Sequence, residues 1–221
     1  MALNPYWNMY LVRTPELIKP FFKNLLWNIP NASNTVYLTF DDGPIAEVTP
    51  WVLDQLKYAG AKATFFCIGR NAVREPAILD RILREGHSIG NHTYDHLNGW
   101  RSSQFSYLKS VQQCRTILES DLFRPPYGRI TRAQVNALKR HYRIVMWEVL
   151  SADFDRELTG DHCYRNVIGN VRSGSIVVFH DSLKAWDRLR IALPRVLQEL
   201  QRRGYGLEAL PYRRAAPITA S

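Results

Sequence analysis

A parallel α/β architecture is the prediction of this 221-residue sequence, and three observations carry it. Short runs rich in β-branched and aromatic residues alternate along the chain with segments of helical period. The connections between successive runs are long enough to hold a helix, which parallel neighbours require and hairpins do not. Ionisable and polar side chains collect just past the strand runs, where α/β barrels build their active sites. That last feature favours a barrel over an open, doubly wound sheet.

The first strand covers 35–40 and leads through a turn at Gly43-Pro44 into a helix that opens at Thr49-Pro50 and closes at Gly60. Residues 63–68 form the second strand, a helix from 76 to 85 ends at Gly86, and 87–90 is the third strand, followed by a helix over 103–119. Strand runs at 122–124, 143–150, 175–180 and 205–210 bring the strands to seven, with helices at 131–140, 161–171 and 187–203 between them. Pro194 lacks an N–H for the helical ladder, so a kink is expected in the last helix.

Ahead of the first strand, Leu17, Ile18, Phe21, Phe22, Leu25 and Leu26 recur at helical spacing across 15–29. Such a stripe is expected to pack on its own domain, so residues 1–33 read as an N-terminal extension and 34–221 as the main domain. Attachment to a membrane surface is the other reading. Met9 is a candidate natural start. No charged n-region followed by an apolar h-region is visible, which points to the cytoplasm or, if a leader has been removed, to the cell envelope.

Composition narrows the classes of function. The chain is 46% hydrophobic and 22% charged, ordinary for a globular protein and incompatible with disorder. Its 29 basic and 20 acidic residues give a net charge of +9. The basic residues are scattered rather than striped, and no helix-turn-helix or RNA-recognition signature occurs, so nucleic acid is not the expected partner. No run of about 18 apolar residues suggests a transmembrane segment. Cys67, Cys114 and Cys163 form no CxxC pair and read as packing residues.

The chemistry-bearing residues follow the strands. His92 and His96 are four apart, so on a helical turn their imidazoles share one face. With one carboxylate of Asp41-Asp42 they make two His and one Asp, the ligand set of an open catalytic Zn²⁺ site and also of non-haem iron. Two adjacent acids at the rim of a buried sheet need an offsetting cation, for which Arg124 is a candidate. His180 ends the apolar run 176–179 and is either a core histidine or a general acid, since imidazole titrates near neutral pH.

Taken together, Thr39-Phe40-Asp41-Asp42-Gly43-Pro44, His92-Thr93-Tyr94-Asp95-His96, Arg124-Pro125-Pro126-Tyr127-Gly128, the stretch 147–154 and Val178-Phe179-His180-Asp181 resemble, in order, the motifs of the polysaccharide deacetylases with a NodB-like homology domain, carbohydrate esterase family 4. The resemblance implies a distorted (β/α) barrel of about seven parallel strands and a metal-dependent hydrolase that removes acetyl groups from N-acetylated sugars, chitin-type or peptidoglycan-type. A divalent metal is implied, Zn²⁺ first, with Co²⁺ or Ni²⁺ also admitted. By position Asp42, His92 and His96 correspond to the metal ligands, Asp41 to the catalytic base, Arg124 to the residue that orients it, and His180 to the general acid supported by Asp153. The Tyr127 N–H corresponds to an oxyanion donor. Phe154 stands where the family has Trp and Val178 where it has Leu, and both line the slot expected for the acetyl methyl. Leu97 replaces a Pro and Leu150 an acid. Alternatives on the same centre are an acetylxylan O-deacetylase, a small-amide amidohydrolase and a catalytically silent carbohydrate-binding protein. Oligomeric state is left open.

Overall fold

The computed structural model describes residues 10–30 and 33–213, so Met9 and the residues before it lie outside the described residues. The strands are β1 (Leu25–Leu26), β2 (Thr35–Asp41), β3 (Ala63–Cys67), β4 (Ser88–Asn91), β5 (Leu122–Phe123), β6 (Arg143–Val145), β7 (Val149–Leu150), β8 (Ile176–His180) and β9 (Gly206–Leu207). The helices are α1 (Thr49–Tyr58), α2 (Gly69–Arg74), α3 (Pro76–Arg84), α4 (Gln104–Arg115), α5 (Arg132–Leu138), α6 (Gly160–Ile168) and α7 (Trp186–Arg202).

Every ladder between strands is parallel. The order is β1-β6-β5-β4-β3-β2-β8-β7, with β9 added to the start of β2. The run expected as one strand at 143–150 is split: β6 pairs with β5, and β7 with β8. The chain therefore crosses the seam of the curled sheet at residues 146–148, and the sheet becomes a distorted barrel. N-terminal residues brace that seam. Met146 N–H donates to the Leu26 carbonyl at 2.7 Å and Thr14 N–H to the Glu148 carbonyl at 2.9 Å.

Period decides which side of the sheet is dry. In β2, Leu38 and Phe40 join the core layer between sheet and helices, whereas Thr39 and Asp41 turn to the other face, where Arg124 meets both. Along α7 the buried residues Leu189, Ala192, Leu193, Val196, Leu197 and Leu200 recur at the spacing of one helical face and close that layer. The helix runs on through Pro194. All three cysteines are buried and free. A short helix not read from the sequence, α2, occupies the connection after β3.

The N-terminal segment departs from the expected helix. A 3-10 helix spans Glu16–Phe22, contains Pro20 and buries no residue, and β1 follows it. Proline removes a ladder donor from the middle of the stripe, and Leu25 and Leu26 find their hydrogen bonds beside β6 instead. The stripe expected on the domain is thereby divided: Leu25 and Leu26 lie against it, while Leu17 and Phe21 are each 84% exposed.

Candidate metal centre and acid–base pairs

Parallel strands of a barrel deliver their C-terminal ends to one rim, and there the chemistry gathers. Asp41 is the last residue of β2, and its Cα neighbour across the ladder is His180, the last residue of β8. Asp42 leaves the strand with φ of +85°, and Gly43 follows in a cis peptide bond to Pro44. A Cβ on Gly43 would lie 2.0 Å from a carboxylate oxygen of Asp181, so glycine alone fits. Asp181, to which the sequence assigns no role, is buried and fixes this turn: its carboxyl group accepts from the Gly43 N–H at 3.0 Å and the Thr49 hydroxyl at 2.6 Å. Burial, with Asp42 nearby, pushes its carboxyl up to about 8.

His92 and His96 come together without the expected helical turn. Residues 92–96 form a bend, with Thr93 at φ +61° and His96 at φ +58°, and the two rings lie 5.1 Å apart. The bend is held by side chains, the Asn91 carboxamide accepting from Thr93 N–H and the Thr93 hydroxyl from Leu97 N–H. His92 Nδ1 lies 2.8 Å from the Arg124 carbonyl. A carbonyl only accepts, so Nδ1 carries the proton and Nε2 presents its lone pair. Burial lowers the His92 imidazole to about 4, keeping it neutral.

One carboxylate oxygen of Asp42, two imidazole nitrogens of His92 and His96: these ligand atoms lie within 4.8 Å of one another. Asp42 Oδ1 is 3.1 Å from His96 Nε2 and 3.8 Å from His92 Nε2. That oxygen is buried without a hydrogen-bond partner among the described residues. Burial raises the Asp42 carboxyl, but the facing imidazoles of His96, His180 and His92 outweigh it and hold the group ionised. A buried, unpartnered anionic oxygen facing two imidazole nitrogens fits a divalent metal ion.

Two ion pairs flank this trio. Arg124 is fully buried, and its Nη1 donates to Asp41 Oδ1 and to the Thr39 hydroxyl, both at 2.7 Å. Its Nε and Nη2 are bound by the carbonyls of Val145 and Met146, and its guanidinium lies 4.1 Å over the Phe66 ring. The cation offsets Asp41 and does not touch Asp42. On the other side, His180 Nδ1 donates to Asp153 Oδ1 at 2.7 Å, and the His180 backbone N–H to Oδ2 at 2.8 Å. Desolvation works against the imidazolium, yet Asp153 prevails and lifts His180 to about 9. Arg188, for which the sequence carries no signal, donates its Nε to the Asp153 carbonyl at 2.7 Å.

The residues expected to meet substrate sit around these groups. Tyr127 is 60% exposed, has φ of +61°, and lays its ring 4.6 Å from that of His96. Phe154 meets the His180 ring edge-on at 5.3 Å. Val178 is buried with Leu150 and Ala152 beneath Phe154 and Trp147. Tyr10, from the N-terminal segment, packs on Phe154 and donates its hydroxyl to Asp155. Sequence spacing offers no signal for Tyr10, Arg188 or the use of Asp181, because each acts on a residue distant in the chain or through backbone.

Residues 28–143 match the family model described as polysaccharide deacetylase. A peptidoglycan-N-acetylglucosamine deacetylase of Bacillus cereus is 37% identical over 184 residues, covering 80% of this chain, and the chain spans 66% of that relative's length. A chitooligosaccharide deacetylase of Azorhizobium caulinodans is 34% identical over 204 residues, covering 83% of this chain and 96% of the relative. The crystal structure of a peptidoglycan N-acetylglucosamine deacetylase in complex with 4-naphthalen-1-yl-N-oxidanyl-benzamide is similar with a TM-score of 0.81 at 34% identity, over 90% of this chain and 95% of that one.

Proposed function

The chain belongs to the polysaccharide deacetylase family, and from that premise we propose that it hydrolyses the N-acetyl groups of a peptidoglycan-type or chitin-type glycan, its catalytic unit spanning 34–221 behind the extension 1–33. The observation that carries this reading is the meeting, at one barrel rim, of a cation-fitting trio with two differently paired acid–base groups.

Asp42, His92 and His96 would hold the metal. Two nitrogens and one carboxylate oxygen suit Zn²⁺ and also accommodate Co²⁺ or Ni²⁺. When bound, the ion supplies Lewis acidity at the acetyl carbonyl. Asp41 takes the proton of the attacking water: Arg124 engages its Oδ1, fixing the carboxylate and leaving Oδ2 for the transfer. The water oxygen joins the carbonyl carbon, and the negative charge gathering on the carbonyl oxygen is met by the Tyr127 backbone N–H. His180, its Nδ1 taken by Asp153, delivers the proton on Nε2 to the sugar nitrogen as the C–N bond breaks, releasing acetate and the free amine. An imidazole at about 9 is protonated at neutral pH, as that role requires. Phe154 and Val178 form the apolar wall for the acetyl methyl.

Acetate release from chitooligosaccharides, peptidoglycan and acetylxylan, before and after chelation, tests the proposal. The expected result is release from the N-acetylated substrates that a chelator abolishes and Zn²⁺ or Co²⁺ restores. Full activity in the metal-free protein, or acetate from acetylxylan alone, overturns it.

A further inference from the structure

At the end of the barrel where the strands begin, opposite the site, the N-terminal segment is built inside out. The polar residues of Glu16–Phe22 turn toward the protein. Lys19 Nζ reaches the buried Glu148 carboxylate at 2.8 Å and the Asn28 side chain at 3.1 Å, and Glu16 pairs with Arg172. Its apolar residues turn outward: Leu17 and Phe21 at 84% exposure, with Phe22 and Ile18 also exposed. A segment held by its charges and displaying its hydrophobes is the reverse of what burial alone selects. The place of this segment follows from its pairing, since Asn28 bridges Ser175 and the Ile29 N–H bonds the Gly174 carbonyl, both just ahead of β8.

The charge of that same end tells what the hydrophobes meet. In a βα barrel the helices descend from the catalytic rim and end beside the strand starts. Lys57, Arg84, Arg115, Arg165 and Arg202 stand in the last turns of α1, α3, α4, α6 and α7. Glu85 and Glu199 there are taken up by Arg81, Arg202 and Arg203. Lys23, Lys57, Lys139 and Arg140 are exposed and make no ion pair among the described residues. Tyr58, 95% exposed, closes α1 at this end. Protruding apolar and aromatic side chains that share one end with unpaired cations match the surface of an anionic bilayer, whose headgroups take the cations and whose acyl boundary takes the hydrophobes.

We infer that this end of the barrel docks on an anionic membrane surface through Leu17, Phe21 and Phe22, with Lys23 and the neighbouring cations at headgroup level. On the function proposed above, docking would turn the catalytic rim away from the bilayer, toward a polymer lying outside it.

The test uses the full chain and vesicles of phosphatidylcholine with and without phosphatidylglycerol, read by cosedimentation. The protein should sediment with the anionic vesicles, less so as salt rises, and remain in solution with phosphatidylcholine alone. Replacing two exposed apolar side chains in the double variant L17S/F21S should weaken binding at least about tenfold, and K23E about fivefold. Both variants should melt as the parent does and release acetate from soluble chitooligosaccharide at the parent rate. Vesicle binding involves no turnover, so its failure is distinct from failure of the proposed activity. Parent protein that stays in solution with anionic vesicles overturns the inference, as does L17S/F21S binding at parental strength. It is equally overturned if the parent forms a dimer that L17S/F21S abolishes while neither binds vesicles.

Discussion

Two carboxylates, separated by one short strand, are withdrawn from water at opposite ends of β7. Glu148 precedes the strand and Asp153 follows it, and each is 0% exposed. Glu148 is met by Lys19 at 2.8 Å, Arg172 at 2.5 Å and the Ser175 hydroxyl at 2.7 Å. Asp153 is met by an imidazole. The burial is alike, so the difference lies in the partner. Permanent cations, with the Arg172 and Lys19 hydrogen bonds, overcome desolvation and hold Glu148 down to about 2, so its charge does not vary in the physiological range. An imidazole partner instead puts a transferable proton on His180, held to about 9. Similar burial thus yields a fastening at one end and a protonated imidazole at the other.

The two pairs also favour opposite ends of the pH scale. Glu148 sits below its ordinary 4.5, so its stabilising contribution is present above that value and is lost as pH falls toward about 2. His180 sits above its ordinary 6.5, so its contribution is complete below that value and is lost as pH rises through about 9. Arg172 is partly solvated, which screens its share of the first pair.

The largest effects are expected at the rim that carries Asp41, Asp42 and His180, where the proposed roles separate metal holding from proton transfer. Asp42→Ala is expected to lose bound metal and all measurable turnover, whereas Asp41→Asn should retain stoichiometric metal while kcat falls by roughly 10³-fold. Metal analysis beside acetate release reads both; an empty site in Asp41→Asn with an active, metal-bound Asp42→Ala would reverse the assignments. Next, His180→Asn should cost roughly 10²-fold in kcat on an amide substrate with metal content unchanged. An equal loss on an acetyl ester with a good leaving group would deny it the acid role. Asp153→Asn should lower activity about tenfold and carry the alkaline limb of kcat/KM from about 9 toward the ordinary imidazole value of 6.5. An unmoved limb would make Asp153 a mere packing residue. Smallest in activity is Glu148→Gln, which should leave kcat near parental at neutral pH. Its melting temperature should fall by roughly 5 °C or more, because two cations lose their buried anion. If Glu148→Gln instead slows catalysis without changing stability, the contrast between the two ends fails.

What could be read from the sequence was whatever declares itself over a few residues. Strand runs closing on polar residues placed Asp41, His92, Arg124, Asp153 and His180 at strand exits, because alternation and Gly punctuation are local signals. The distorted parallel barrel followed from the same alternation and from the family resemblance. Reasoning from spacing failed where side-chain hydrogen bonds or distant residues decide the conformation. His92 and His96 suggested a helical turn, but side-chain hydrogen bonds from Asn91 and Thr93 hold a bend with two left-handed residues. The 15–29 stripe satisfied helical spacing while Pro20 and the demand of Glu148 for a cation shaped the segment otherwise. Asp181 stood inside a quoted motif, yet its use depends on Gly43 and Thr49, more than a hundred residues earlier. Glu148 gave no signal, since both its cations come from separate parts of the chain.

The gap between β6 and β7 has a consequence for how this protein can vary. Where the strand breaks, the carbonyls of Val145 and Met146 are turned to Arg124, so Nε and Nη2 of the guanidinium that steadies Asp41 are gripped by main chain. Any residue supplies a carbonyl. Genetic drift at 145 and 146 should therefore be tolerated as long as volume is kept, whereas adding or deleting a single residue between 145 and 148 would shift both acceptors out of reach. This stretch should accept many spellings and only one length.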